Sequence, residues 1–306
     1  MGQNNIKISV IIPVYNVAQY IAQTLDCIYA QTIDRQALEI ICVLDACTDN
    51  SADIIRRWGR DNNDITMHII MNKKNRGPAI SRNQGLRHAR GEFIHFMDSD
   101  DVINTDFYKS MFTAATGASA DLAVCCFYNE RHPHSSVIYH SNVVYSNPQD
   151  KVDQTWVDTH GYMVRYLIRR QFWDANKFKF PENIRFCEDW LLANEMVYAA
   201  RRLVTVADAR YIYKFRKNSL MMQSKTNTDY QVMGASAGRA VDKFLVGHHL
   251  FPHFIDVHTT DWRLFGMRLF KIERDLNHVC VRLFGRIKII RQSQRVKYKR
   301  REVSHD

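Results

Sequence analysis

Residues 1–130 predict an α/β fold built on a central, mostly parallel sheet with helices on both faces, and three observations carry that prediction. Short apolar runs alternate with helix-length amphipathic stretches, the βαβ rhythm. The runs are near-continuous in Val and Ile, as in strands buried on both faces. The segments that follow the runs are mainly polar or acidic, and in such sheets ligands bind beyond the carboxyl ends of the strands.

Taken in order, Ile8-Ser9-Val10-Ile11-Ile12-Pro13 reads as the first strand and 18–31 as the helix after it. Strands at 40–44, 67–71 and 93–97 follow, separated by helical patterns at 51–60 and 79–89, and a further strand lies at 122–127. From about 135 the pattern loosens, with short strands across 137–145, a helix at 158–170 and another opening near Glu188-Asp189-Trp190 and running to about 200. Trp156, Trp173 and Trp190 suit a second lobe that completes a cleft. After Tyr230 a long helical pattern begins. No internal repeat or low-complexity linker interrupts the chain.

Composition narrows the function classes. With 306 residues, 46% hydrophobic and 24% charged, the chain is a folded globular protein rather than a disordered or fibrous one. No stretch approaches the roughly 18 apolar residues of a membrane span, and the start lacks a signal-peptide layout. The expectation is a cytoplasmic protein. Seven cysteines with no C-x-x-C pair, mostly among apolar neighbours, read as reduced and buried. The net charge of +10 is uneven: residues 231–306 hold 15 Lys/Arg against 7 Asp/Glu. A basic tail on a nearly neutral body points to an anionic partner.

Three motifs carry chemistry. Asp98-Ser99-Asp100 directly follows a strand, where two carboxylates one residue apart suit a hard divalent cation that also holds a diphosphate. The plainer reading is an acidic turn capping the next helix from Asp101 or Thr105. Glu188-Asp189 at a helix start suits a general base, although acidic residues favour first turns through the helix dipole alone. Tyr211, Tyr213 and Phe215 alternate along an edge strand, with Lys214, Arg216 and Ser219 available for phosphate contacts.

In company these segments mean more. Residues 8–16, Asp45-Ala46-Cys47-Thr48-Asp49-Asn50-Ser51, Asn75-Arg76-Gly77-Pro78-Ala79 with Ser81-Arg82-Asn83 and Gly85, then 98–101 and 188–189, resemble family 2 of the inverting glycosyltransferases, of GT-A fold, over residues 6–220. The resemblance implies a Rossmann-like sheet divided into a nucleotide-sugar-binding half, 1–115, and an acceptor-binding, catalytic half, 116–230, before a helical basic extension, 231–306. It implies that Pro13 and Asn16 lie against the nucleoside and that Asp45 accepts the uracil N3 hydrogen, so that uridine diphosphate is the carrier. Arg82, Asn83 and Ser99 would face the donor, Asp98 and Asp100 would hold Mn²⁺ or Mg²⁺, and Arg216 would close on the diphosphate. Asp189, beside Glu188, matches the family's general base. Leu44, Ala46 and Cys47 depart from the usual Val-Asp-Asp-Gly-Ser-Thr-Asp loop.

The function so implied is inverting transfer of one sugar from a UDP-sugar to a glycan or lipid-linked acceptor, as in bacterial lipopolysaccharide and capsule synthesis. Gln292-Ser293-Gln294-Arg295-Val296 lacks the Trp of the processive synthases' Gln-x-x-Arg-Trp motif. In the extension, Trp262, Phe265, Leu269, Ile272, Leu276, Val279, Leu283, Ile287 and Ile290 step by three and four, predicting a basic amphipathic helix for an anionic membrane at the inner face of the plasma membrane. Packing of that stripe on the catalytic domain or a partner subunit is the alternative. A sugar nucleotidyltransferase would need a Gly-rich triphosphate loop that residues 13–16 do not offer. A nucleic-acid-binding protein working through the tail is disfavoured by the neutral body, and no nucleic acid is expected.

Overall fold

The computed structural model describes residues 6–184, 187–216 and 228–250, and the backbone of four strands between 258 and 292. The chain forms two compact units, Met1–Pro252 and His253–Asp306.

In the first unit, β1 (Ile8–Val14) pairs in parallel with β2 (Leu38–Asp45) and β4 (Phe93–Phe96), and β2 pairs in parallel with β3 (Thr66–Asn72). Alternate residues of these strands serve opposite cores. Ile8, Val10, Ile12, Leu38, Ile40 and Leu44 join one buried cluster, whereas Ile11, Ile41 and Val43 join another. The first cluster is closed by α1 (Ile21–Tyr29), α2 (Ser51–Asp61) and α4 (Phe107–Gly117), which supply Leu25, Trp58 and Met111. The second is closed by α3 (Pro78–Leu86), α7 (Trp190–Ala199) and α8 (Thr228–Gly247), through Ala79, Met196 and Val241. Layers of helix on both faces are therefore what the period-two burial of the strands demands. Gly85 lets α3 lie close to the sheet, since a Cβ there would stand 2.5 Å from Ile11 Cγ2.

The remaining strands are β5 (Val102–Ile103), β6 (Leu122–Asn129), β7 (Val144–Tyr145), β8 (Tyr166–Arg169) and β9 (Leu203–Tyr213), in the order β3-β2-β1-β4-β8-β6-β9-β5 with β7 also on β9. The long pairings are parallel, as expected, β6 with β9 included, and short antiparallel strands complete the sheet: β8 runs antiparallel to both β4 and β6, and β5 and β7 run antiparallel to β9. This corrects the helix expected at 158–170. Tyr166-Leu167-Ile168 is buried on both sides between two strands, and a 3-10 turn, Met163–Arg165, precedes it. The short helices α5 (Pro148–Thr155) and α6 (Arg170–Asn176) flank this region, and the strand expected across 137–145 reduces to β7 and one bridge at Val137.

The helix after Tyr230 is present as α8 and belongs to the first unit. The amphipathic helix expected from Trp262 to Ile290 is not. The second unit is an antiparallel meander of β10 (His258–Leu264), β11 (Met267–Arg274), β12 (His278–Leu283) and β13 (Arg286–Gln292). Among the described residues the extension is therefore not helical beyond α8. Gly266, Asn277 and Gly285 fall at the breaks between these strands, and Val279, Val281, Ile287 and Ile289 are β-branched residues at alternate positions. Residues 293–306, with most of the terminal basic cluster, lie outside the described residues. Among the described residues no helix is long and apolar enough to cross a membrane.

Candidate active site

The carboxyl ends of β1, β2, β3 and β4 open on one side of the sheet, and their loops are tied to one another. Asn16, in the left-handed region at φ 51°, follows β1. Its Oδ1 accepts from Thr48 N at 2.8 Å and its Nδ2 donates to Thr48 Oγ1 at 3.1 Å. Asp49 accepts from Ala18 N and from the Ser51 hydroxyl, at 2.9 and 2.6 Å, so the first two loops form one rigid rim. Pro13 lies past the end of the β1–β4 pairing, which stops at Ile11, so its missing N–H leaves no gap in that ladder.

Asp45 ends β2 with its carboxylate buried. It accepts from Asn72 Nδ2 (2.9 Å), Arg76 N (2.9 Å) and Gly77 N (2.7 Å), and so clasps the turn that starts α3. Gly77 takes φ 89°, open to glycine, and Pro78 opens the helix. Asp45 thus shapes this end of the rim through the Asn72 side chain and the backbone of Arg76 and Gly77. Asn83 is likewise spent on structure: its amide donates to Phe180 O (2.9 Å) and accepts from Phe180 N (3.0 Å). Ser99 is a buried member of the acidic loop.

Arg82, from α3, is the junction of the site. It is buried and reaches Asp98 Oδ1 at 2.9 Å with one terminal nitrogen and Glu188 Oε1 with the other, while its guanidinium lies over the Phe180 ring. One cation therefore joins the acidic loop after β4 to the Glu188-Asp189 pair before α7. In the structure Arg82, expected from the sequence to face a donor, makes a bridge between two carboxylates.

Asp189 keeps a partly exposed edge and accepts from Met163 N at 3.2 Å. Burial, reinforced by the Glu188 charge and opposed by Arg82, pushes its carboxyl up to about 7. Burial also raises Asp100 to about 6, against the pull of Arg216, whose Nε stands 2.5 Å from Asp100 Oδ2. Asp101 is held well above the usual carboxylate range by burial and by Asp100 and Asp98. It accepts from the Tyr211 hydroxyl (2.8 Å) and Lys214 N (2.8 Å), and the same tyrosine oxygen accepts from Asp98 N (3.2 Å). Tyr211 was legible only as an apolar strand residue. Its hydroxyl and Met163 N have no signal in the sequence, because both act through contacts between distant segments.

Asp98 and Asp100 offer the hard oxygen donors that Mg²⁺ or Mn²⁺ prefers. Among the described residues no hydrogen bond occupies Asp98 Oδ2, and no cluster of three metal-ligating side chains exists. A pair of carboxylates with the other positions left to phosphate oxygens and water is the usual way such ions are held, so the residues fit the metal.

A mixed sheet with acidic loops at its carboxyl ends, a rim of backbone turns and a carboxylate raised towards neutrality make up one α/β site. The chain belongs to glycosyl transferase family 2, whose family model matches residues 9–180. It is 29% identical over 214 residues to a poly(ribitol-phosphate) beta-glucosyltransferase of Bacillus spizizenii, covering 69% of this chain and 33% of that protein. The fold is shared with S. aureus TarS 1-349 in complex with UDP-GlcNAc, at a TM-score of 0.65 and 22% identity over 76% of this chain and 66% of that one. It is also shared with the mannosyltransferase PcManGT from Pyrobaculum calidifontis in complex with GDP-Man and Mn²⁺, at 0.57 and 20%, over 81% and 70%. The chain spans between 31% and 63% of the length of the curated relatives it matches first.

Proposed function

We propose that this protein transfers a single sugar from a UDP-sugar, with inversion, to a hydroxyl of a glycan or polyol-phosphate polymer of the bacterial surface. The observation that carries the reading is the Arg82 bridge, which sets Asp98 beside Glu188-Asp189 although the sequence separates them by ninety residues. One cleft then contains both a place for the departing diphosphate and a base for the attacking hydroxyl.

Asp189 is the acceptor base: a carboxylate near neutrality is matched to taking a proton from a hydroxyl as that oxygen bonds to the anomeric carbon. Met163 N fixes its orientation. Glu188 and Arg82 form the buried ion pair that anchors it, and the rim from Asn16 to Gly77 receives the nucleoside. When bound at Asp98 and Asp100, Mn²⁺ or Mg²⁺ neutralises the charge that develops on the leaving diphosphate. The relative that acts on poly(ribitol-phosphate) supports a surface polymer as acceptor and moves the emphasis away from lipopolysaccharide and capsule. Contact with an anionic membrane at the cytoplasmic face rests on the tail's charge alone, now that the amphipathic helix is absent.

The test is a panel of UDP-sugars read for binding and slow hydrolysis by calorimetry and mass spectrometry. One or more should bind in a Mn²⁺-dependent manner, and Asp100→Ala should lose that dependence while remaining folded. Binding that ignores both metal and Asp100 would overturn the assignment.

A further inference from the structure

We propose that Arg216 is an internal counter-cation for Asp100, so that divalent metal and nucleoside diphosphate each strengthen the other's binding. The inference rests on the reading of Asp98 and Asp100 as the metal pair. Each of these carboxylates already carries an arginine from another element: Arg82 on Asp98 at 2.9 Å, Arg216 on Asp100 at 2.5 Å.

The two arginines differ in what holds them. Arg82 is buried, is tied also to Glu188 and leaves Asp98 Oδ2 open, so a metal can use Asp98 without moving it. Arg216 is 22% exposed against 11% for Asp100, and its Nε contact is an ion pair without the alignment of a hydrogen bond. Its guanidinium otherwise stands 5.9 Å from the Tyr20 ring. It is therefore held by charge and is the group that can leave.

The backbone is built for that movement. Lys214 N is fixed to Asp101 Oδ1 at 2.8 Å and Lys214 Nζ to Glu130 at 2.5 Å, so the root of the segment stays while Arg216 swings two residues further on. A diphosphate brings more negative charge than one carboxylate and accepts a guanidinium in a bidentate manner. It draws Arg216 away and uncovers Asp100 for the metal. Because coupling between two ligands is reciprocal, metal must strengthen nucleotide binding by the same factor.

The experiment is a Mn²⁺ titration of the full chain, followed by loss of the free-ion electron paramagnetic resonance signal, with and without UDP. In the parent protein Mn²⁺ alone binds weakly and UDP tightens it. Arg216→Gln should bind Mn²⁺ alone about fivefold more tightly, the scale of an ion pair bordering solvent, and the tightening by UDP should shrink by at least that factor. Arg216→Lys, which keeps the charge, should stay close to the parent. An unchanged or weaker Mn²⁺ affinity of Arg216→Gln without UDP overturns the proposal. If instead Asp100→Asn keeps the parent's UDP-dependent Mn²⁺ binding, it is the metal reading of Asp98 and Asp100 that falls.

Discussion

Replacing Arg82 by Met tests the centre of the site directly. The substitution keeps side-chain volume and apolar packing on Phe180 but removes the cation between Asp98 and Glu188. The two arms are unequal. Glu188 is 8% exposed and Asp98 is 37% exposed. Stranding a buried charge by deleting its partner costs about 3–5 kcal/mol, whereas a pair bordering solvent contributes under about 1 kcal/mol. The Glu188 arm therefore dominates. For a unit of this size each kcal/mol lowers the melting temperature by about 2–4 °C, so Arg82→Met should melt about 6–20 °C below the parent. Thermal melts of Arg82→Met, Glu188→Gln and the double variant complete a cycle. The double variant should recover most of the loss. Strict additivity of the two single effects, or a melting point of Arg82→Met within about 2 °C of the parent, would refute the bridge as the strut of the site.

Other consequences follow from the same geometry. The proposed base, Asp189, would work only when deprotonated, so transfer should rise with pH through about 7, and Asp189→Asn should lose that limb. Its turnover should fall by about 10²–10⁴ with UDP affinity kept, and a retained pH limb would move the role elsewhere. Gly85→Ala puts a methyl 2.5 Å from Ile11 Cγ2 and 3.2 Å from Val43 Cγ2. It should destabilise by about 1–3 kcal/mol in denaturant unfolding, and an unchanged midpoint would mean that α3 packs less closely. Removing 293–306 should weaken flotation with anionic vesicles in a salt-dependent way, while UDP-sugar hydrolysis persists. Undiminished flotation would take the basic cluster out of membrane contact.

Much of this protein is readable from its amino-acid order. Runs such as Val10-Ile11-Ile12 and Ile40-Ile41-Cys42-Val43 are apolar at every position, and only a strand covered on both faces satisfies that, so strands β1 and β2 and their helices follow from local pattern. The positions of Asp45, Asp98, Asp100 and Asp189 after strands or before a helix were legible for the same reason.

Tertiary structure decided the rest. Tyr166-Leu167-Ile168 became the antiparallel insert β8 because β4 and β6 each offered it an open edge, a partnership that no window of the sequence contains. Steps of three and four among apolar residues 262–290 fit a helix arithmetically, yet the chain follows its turn residues and β-branched alternation into a meander. Arg82 and Asn83 read as donor-facing through the family resemblance, and no local window names what they touch within the fold. The partners they meet in the fold, Glu188 and Phe180, lie 106 and 97 positions away. Local propensity acts over a turn or a strand, but a buried charge or amide must find its complement wherever the fold brings one, and that pairing exists only once the sheet has closed.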